Sequence, residues 1–117
     1  PRDGAFRGHL SWHLALVLLG EGRVEEGFAL YEDAFAADDY PGPKVVKLMD
    51  AASYLWRAEL AGHPRDHARW RAVHEFAHRA FPRPGLAYAD WHVALADAVA
   101  GDNEAAEARA KEIEGLA

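Results

Sequence analysis

The sequence predicts an all-α chain of three antiparallel helix pairs, stacked as a right-handed array, and three observations favour this fold class. The motif Trp-His-Leu-Ala-Leu at residues 12–16 returns as Trp-His-Val-Ala-Leu at residues 91–95, with a variant, Trp-Arg-Ala-Glu-Leu, at residues 56–60. Glycine and proline interrupt the apolar pattern at short intervals. Threonine is absent, and much of the 50% hydrophobic content is alanine, which disfavours a β-sheet core.

The first pair is predicted over residues 6–19 and 24–37. On its first helix, helical spacing gathers one broad apolar stripe, Phe6, Leu10, Leu14, Val17 and Leu18. Gly22 ends this helix, because glycine accepts the left-handed backbone of a helix C-terminus. In the second helix the aromatic residues are spaced three and four apart, and Gly27 and Ala34 are predicted as small contact positions.

The second and third pairs follow proline-rich breaks at residues 38–43 and 81–85. We expect the third helix over residues 44–61, ended by Gly62, and the fourth from a first turn at Pro64 to about residue 80. The fifth and sixth are expected over residues 86–100 and 103–116, with Gly101 at the turn. Since no linker is long enough to divide the pairs, residues 1–117 are predicted as one domain. Because the chain begins at Pro1 and not Met, we expect it to be a fragment of a longer chain.

Composition excludes several classes of protein. The net charge of −6 shows no nucleic-acid-binding footprint. No apolar run approaches the roughly 20 residues needed to cross a bilayer, and no secretory signal pattern is present. We therefore expect a cytoplasmic protein that binds neither nucleic acid nor membrane. Cysteine is absent, which removes disulfides and thiolate metal ligands, and no cofactor is predicted.

The repeated units resemble tetratricopeptide repeats. With Gly8 as the first position, the turn, small and aromatic positions of that pattern fall on Ala15, Gly22, Gly27, Tyr31 and Ala34. In the middle unit Glu59 departs from the pattern, since a small residue is expected there. The stretches that begin at His9, Asp50 and Ala89 resemble the family of tetratricopeptide repeat protein 38. This resemblance implies a right-handed helical superhelix from the C-terminal part of a longer chain, and it implies no activity.

A tetratricopeptide-like array would line its concave face with the first helix of each pair. The candidates for ligand binding there are His9, Trp12, His13, Ser53, Trp56, Arg57, Trp91 and His92. Tryptophan and arginine are frequent anchors of binding surfaces, and the guanidinium fork suits carboxylates. The sequence therefore predicts a non-catalytic interaction domain that binds a peptide or a carboxylate-bearing ligand. Two alternatives to a ligand-binding groove remain open. The tryptophans could pack in the core with satisfied indole N–H groups, or the rest of a longer chain could fill the groove.

Acidic residues complete the candidate set. Asp50, Ser53 and Arg57 lie three and four apart, which predicts contacts of Ser53 with both neighbours. These contacts would orient Arg57 toward an anion or serve as buried struts. His9 and His13 have a metal-ligand spacing that Asp50, Asp90 or His92 would complete, although a histidine pair bonded to carboxylates without metal is the favoured interpretation. An enzyme or metal site built from these His, Asp and Arg residues is the alternative function.

Two further predictions concern exposed surfaces. The fourth helix and its approach carry His63, His67, His74 and His78, which we interpret as an exposed, solvated face; a transition-metal site or a pH response is the alternative. At the ends of the array, the sixth helix is expected to be a solvated cap, because its charged residues, Arg109 among them, would form an extensive charged surface. The apolar first helix is instead expected to be covered by preceding chain or by a second copy of the protein.

Overall fold

The computed structural model of this chain describes residue 4 and residues 6–116, and that part is helical without strands. The helices are α1 (Arg7–Gly20), α2 (Val24–Leu30), α3 (Lys44–Leu60), α4 (His67–Ala80), α5 (Ala87–Ala100) and α6 (Asn103–Glu114), and α2 continues into a π turn, Tyr31–Phe35. The all-α prediction is confirmed. None of these helices is long and apolar enough to cross a membrane. The chain forms two compact units, Pro1–Arg65 (unit 1) and Asp66–Ala117 (unit 2).

Glycine ends the helices where the sequence predicted it. Gly22, Gly62 and Gly101 have φ angles of 75°, 94° and 72°, in the left-handed region that side chains with a Cβ rarely adopt. Each follows a helix by one or two residues, so the backbone reverses direction without strain.

The start of the fourth helix was predicted wrongly. Pro64 lies outside the helix, and α4 begins at His67. Asp66 determines this start, because its side chain accepts the backbone N–H of Arg69 at 2.9 Å and leaves Asp66 itself non-helical. An aspartate N-cap, which satisfies an otherwise unpaired donor, therefore overrides the preference of proline for a first helical turn.

In unit 1, α1 packs against α2, the π turn and α3. The buried face of α1 consists of small residues and one leucine, Gly8, Ala15 and Leu18. Opposite it, the ring of Tyr54 from α3 is fully buried and lies edge-on to Phe28 and Phe35, with centroids 5.3 and 5.5 Å away. Gly27 gives this ring room, since a Cβ there would lie 2.1 Å from the Tyr54 hydroxyl oxygen. The prediction of Gly27 as a small contact position is thus explained by close approach.

The second helix departs from the predicted regular winding. Residues 24–37 were expected to be one α-helix, but its last turn is a π turn closed by the bond from the N–H of Ala36 to the carbonyl of Tyr31, at 2.9 Å. Tyr31, Ala34 and Phe35 are all buried there. The wider turn therefore brings two aromatic rings and one small residue into the core together.

The outer side of α1 is apolar and exposed. Phe6, Leu10, Leu14 and Val17 are 75%, 65%, 51% and 57% exposed. These four residues form the α1 stripe. Helical spacing predicted this stripe, and the structure places Leu18 alone of the predicted five on the buried side.

In unit 2, α5 packs against both α4 and α6. The buried residues from α4 and α5 include Trp70, Val73, Ala77, Ala89, Val93 and Ala96. Arg109 of α6 was predicted to belong to a solvated charged surface, and this is wrong, since it is only 6% exposed. Its guanidinium donates from Nη1 to Asp90 at 2.6 Å and from Nη2 to the carbonyl of Phe81, so both terminal nitrogens have partners inside the unit.

Candidate functional site

Polar side chains of α1 and α3 meet in unit 1. His9 Nδ1 lies 3.1 Å from both carboxylate oxygens of Asp50, which is 2% exposed. Because the carboxylate accepts, His9 donates from Nδ1, and its Nε2 faces the Nε2 of His13 at 3.2 Å. The predicted histidine–carboxylate bond therefore forms at His9, whereas His13 bonds to His9 and not to an acid.

Ser53 makes one of its two predicted contacts, through the backbone of Asp50, and one contact from α1 that was not predicted. Its hydroxyl accepts the indole N–H of Trp12 at 3.0 Å and donates to the backbone carbonyl of Asp50 at 3.3 Å. It bonds neither the Asp50 carboxylate nor the Arg57 guanidinium. The contact with Trp12 was not predicted, because helical spacing within α3 gives no information about side chains that approach from α1. Trp12 is thus a partly buried strut with a satisfied N–H, one of the two alternatives left open above.

The buried charge of Asp50 also affects a neighbouring phenol. Burial, and after it the negative charge of Asp50, raise the pKa of Tyr40 above its usual value. Tyr40 lies in the loop between the π turn and α3, and its ring packs against α1 at Gly8, where a Cβ would lie 2.2 Å from the ring. The Asp50 carboxylate at the base of the cluster therefore lies close to both the His9 ring and the Tyr40 phenol.

Arg57 is an exposed cation beside Trp12. Its guanidinium carbon lies 6.0 Å from the centre of the Trp12 ring, a cation–π distance. No acidic side chain pairs with it in the described part of the chain. His13 is exposed and Trp56 is 37% exposed. Arg57, Trp12, Trp56 and His13 are hereafter the Arg57 surface.

The predicted enzyme arrangement is only partly assembled. His9, His13 and Asp50 form a chain of hydrogen bonds, which is the geometry of a general base held by a carboxylate. The hydroxyl of Ser53, however, gives its proton to a backbone carbonyl and not to a histidine. A Ser-His-Asp nucleophile is therefore not formed by these residues.

Two of the three candidates on α5, Asp90 and His92, have partners inside unit 2. Asp90 accepts from Arg109 at 2.6 Å and from the backbone N–H of Gly85 at 3.0 Å. His92 donates from Nδ1 to the carbonyl of Tyr88 at 2.7 Å, one turn earlier. Asp90, whose side chain is 12% exposed, is thus a largely buried strut, and neither residue holds a ligand by these contacts.

Trp91 instead lies in an open groove between α5 and α6. The groove has a volume of about 740 Å³, within the range of ligand sites, and Tyr88, Trp91, Ile113 and Leu116 form its apolar wall. Trp91 is 78% exposed. Its surroundings match a binding residue better than a core residue.

A second polar cluster, whose acid Asp97 the sequence interpretation missed, lies between α4 and the end of α5. His78 Nε2 is 2.6 Å from Oδ1 of Asp97, and His74 Nε2 is 3.2 Å from the same oxygen. Asp97 is fully buried. The prediction of a solvated histidine face is therefore wrong for His74 and His78, whose side chains are 21% and 34% exposed.

One signal in the sequence does point to this cluster. Asp97 stands in an otherwise apolar stretch of α5, one turn after Val93, which is fully buried. An acid on the buried face of a helix requires a polar partner, because an unpaired charge there is costly. The sequence cannot name that partner, since His78 lies 19 residues away.

Comparison of the chain with protein-family models, with curated proteins and with solved structures gives no match.

Proposed function

We propose that this chain is an interaction domain whose Arg57 surface binds a carboxylate-bearing apolar segment of a protein or peptide partner. One observation carries the proposal, namely that Arg57 is exposed, is positioned over the Trp12 ring and has no acidic partner among the described residues. A guanidinium held in place loses less conformational entropy when it binds a carboxylate.

The neighbours of Arg57 suit the rest of such a ligand. Trp12 is fixed by its bond to Ser53 at 3.0 Å, so its ring presents a rigid face. Trp56 is partly exposed and offers a second indole to aliphatic side chains. His13 adds a polar group at the edge. The ligand class is therefore an extended segment with aliphatic side chains and a carboxylate.

The proposal also includes the finer fold. We propose that the helices belong to a tetratricopeptide-like right-handed superhelix, of the kind found in the family of tetratricopeptide repeat protein 38. The repeated Trp-His motif and the glycine turns support this proposal. A helical-repeat scaffold presents its first helices to partners, which agrees with an interaction role.

The proposed binding is tested by calorimetric titration with an acetylated peptide of alternating alanine and leucine that ends in a free carboxylate. The unchanged protein should bind this acid more tightly than the same peptide with a C-terminal amide. Replacing Arg57 with Gln should weaken binding of the acid by about 1–3 kcal/mol, the scale of a lost charged hydrogen bond.

Two controls separate an anchor from a strut. Arg71 is likewise an exposed arginine, so Arg71→Gln should leave binding unchanged. Arg57→Gln should lower the free energy of unfolding by less than about 1 kcal/mol, since only an exposed cation–π contact is lost. Equal binding of acid and amide, or a large loss of stability in Arg57→Gln without any change in binding, would refute the proposal.

A further inference from the structure

We propose that His74, His78, Asp97 and Asp102 form a site for one divalent transition-metal ion, with zinc as the best fit. The site lies within unit 2, apart from the residues used in the proposed function. Three segments supply it, namely α4, the last turn of α5 and the turn before α6.

Each ligand atom is positioned by its helix. His74 and His78 are one turn apart on α4, so both rings lie on one face. Asp97 ends the buried face of α5. Asp102 caps α6, and its Oδ1 accepts the N–H of Ala105 at 3.1 Å, which leaves Oδ2 directed at His74 Nε2, 3.4 Å away.

The distances resemble those between ligands around one ion. Tetrahedral zinc with bonds of about 2.0–2.1 Å separates its ligand atoms by about 3.4 Å. His74 Nε2 lies 3.2 Å from Asp97 Oδ1 and 3.4 Å from Asp102 Oδ2. One nitrogen from each histidine and one oxygen of Asp102 all lie within 4.8 Å of one another. To complete a four-ligand site, the 2.6 Å contact between His78 and Asp97 would have to lengthen, and Asp97 would have to join the three residues of this group.

Electrostatics supply a second, independent observation. Asp97 is fully buried, and its Oδ2 has no hydrogen-bond partner among the described residues. His74 Nε2 is likewise buried and lacks a hydrogen bond of good geometry. A dication between two aspartates and two neutral histidines would cancel the charge of both acids. The ring nitrogens that face the ion would release any proton they carry to solvent, as metal binding requires.

The donor set selects the metal class. Two imidazoles with two carboxylates favour zinc and related transition metals over calcium and magnesium, which prefer oxygen alone. Four protein ligands would leave no open position, so the ion would be structural. It would join α4 to the α5–α6 turn and stabilise unit 2 in proportion to its concentration.

The experiment is a zinc titration of the full chain after removal of metal with a chelator, followed by calorimetry and by the visible spectrum of Co²⁺ in place of Zn²⁺. We expect one ion per chain, a tetrahedral Co²⁺ spectrum and a higher midpoint of thermal unfolding with zinc. His74→Ala and His78→Ala should each weaken binding by more than about 100-fold, beyond the loss caused by removing an outer partner.

Asp102→Asn keeps an oxygen for the α6 cap and removes only the charge, so it tests ligation without the loss of a helix cap. It should weaken zinc binding by at least about tenfold and remain folded. His67→Ala, on the exposed side of α4, and His13→Ala, in the other histidine pair, should leave binding unchanged. The proposal is overturned if zinc does not bind at micromolar concentration, if His13→Ala abolishes binding, or if Asp102→Asn binds as tightly as the unchanged protein.

Discussion

Gly27 is the position where the packing of unit 1 can be tested most sharply. A Cβ at this position would lie 2.1 Å from the Tyr54 hydroxyl oxygen and 3.3 Å from the carbonyl oxygen of Ala15. The Tyr54 ring cannot withdraw easily, since it is fully buried and packs against Phe28 and Phe35. Gly27→Ala should therefore force side-chain and backbone shifts that cost about 3 kcal/mol, the upper end of the usual overpacking range.

Part of that cost is offset, because alanine favours a helix over glycine by about 1 kcal/mol. The expected net loss in the free energy of unfolding is about 2 kcal/mol. Urea denaturation followed by far-UV circular dichroism measures it, and with a slope of about 2 kcal/mol/M the midpoint should fall by about 1 M.

Tyr54→Phe provides the coupled change. It removes the oxygen at 2.1 Å, and the nearest atom to the new Cβ is then the ring carbon at 3.1 Å. In the Tyr54→Phe background, Gly27→Ala should cost about 1–2 kcal/mol less than in the unchanged protein, a coupling typical of residues in contact. Gly20→Ala is the matched control, because a Cβ there meets no atom within 4 Å. A Gly27→Ala variant as stable as the unchanged protein, or additive effects in the double variant, would refute this account.

Two more predictions concern unit 2. Asp66→Ala removes the α4 cap and should cost about 1 kcal/mol at neutral pH. The N–H of Arg69 lowers the pKa of Asp66, so its contribution is complete above the unfolded value of 3.8 and is lost as pH falls through the folded pKa. Urea midpoints of the two proteins should therefore converge at acid pH, and a constant difference would contradict the cap. Arg109→Met leaves Asp90, whose side chain is 12% exposed, without its cation and should cost about 3 kcal/mol in thermal unfolding, the lower end for a buried pair. Adding Asp90→Asn to Arg109→Met should recover part of this loss. Equal stability of Arg109→Met and of this double variant would contradict the account.

The predictable part of the fold consists of local signals. Left-handed backbone at Gly22, Gly62 and Gly101 follows from the conformational freedom of glycine at a helix end, which requires no knowledge of distant residues. The start of α4 also depends on local signals, but two of them disagree. Pro64 favours an earlier first turn, whereas the Asp66 side chain caps the helix, which begins at His67. The π turn was not predictable from spacing, since Phe35, which lies in this turn, packs against Tyr54 from another helix.

In the candidate site, too, the residues could be identified from the sequence, whereas their contacts depend on tertiary packing. His9 and Asp50 were both identified, yet their bond links residues 41 apart in sequence, and only tertiary packing decides it. For the same reason the bond of Ser53 to Trp12 of α1 was not predicted, although the contact of Ser53 with Asp50 within α3 was. Asp97 was overlooked because its partners come from another helix, while Arg109 was misassigned because a charged helix surface does not reveal which cation points inward.

The exposed α1 stripe has a practical consequence for how folding of this protein is measured. Dyes such as anilinonaphthalene sulfonate fluoresce on exposed apolar surface and are commonly used to detect partly unfolded states. Phe6, Leu10, Leu14 and Val17 already present such surface on a complete helix. The native chain should therefore bind the dye, and dye fluorescence should fall as protein concentration rises if a second copy covers the stripe. Loss of tertiary structure in this protein is better followed by near-UV circular dichroism of the buried Tyr54 and Trp70 rings.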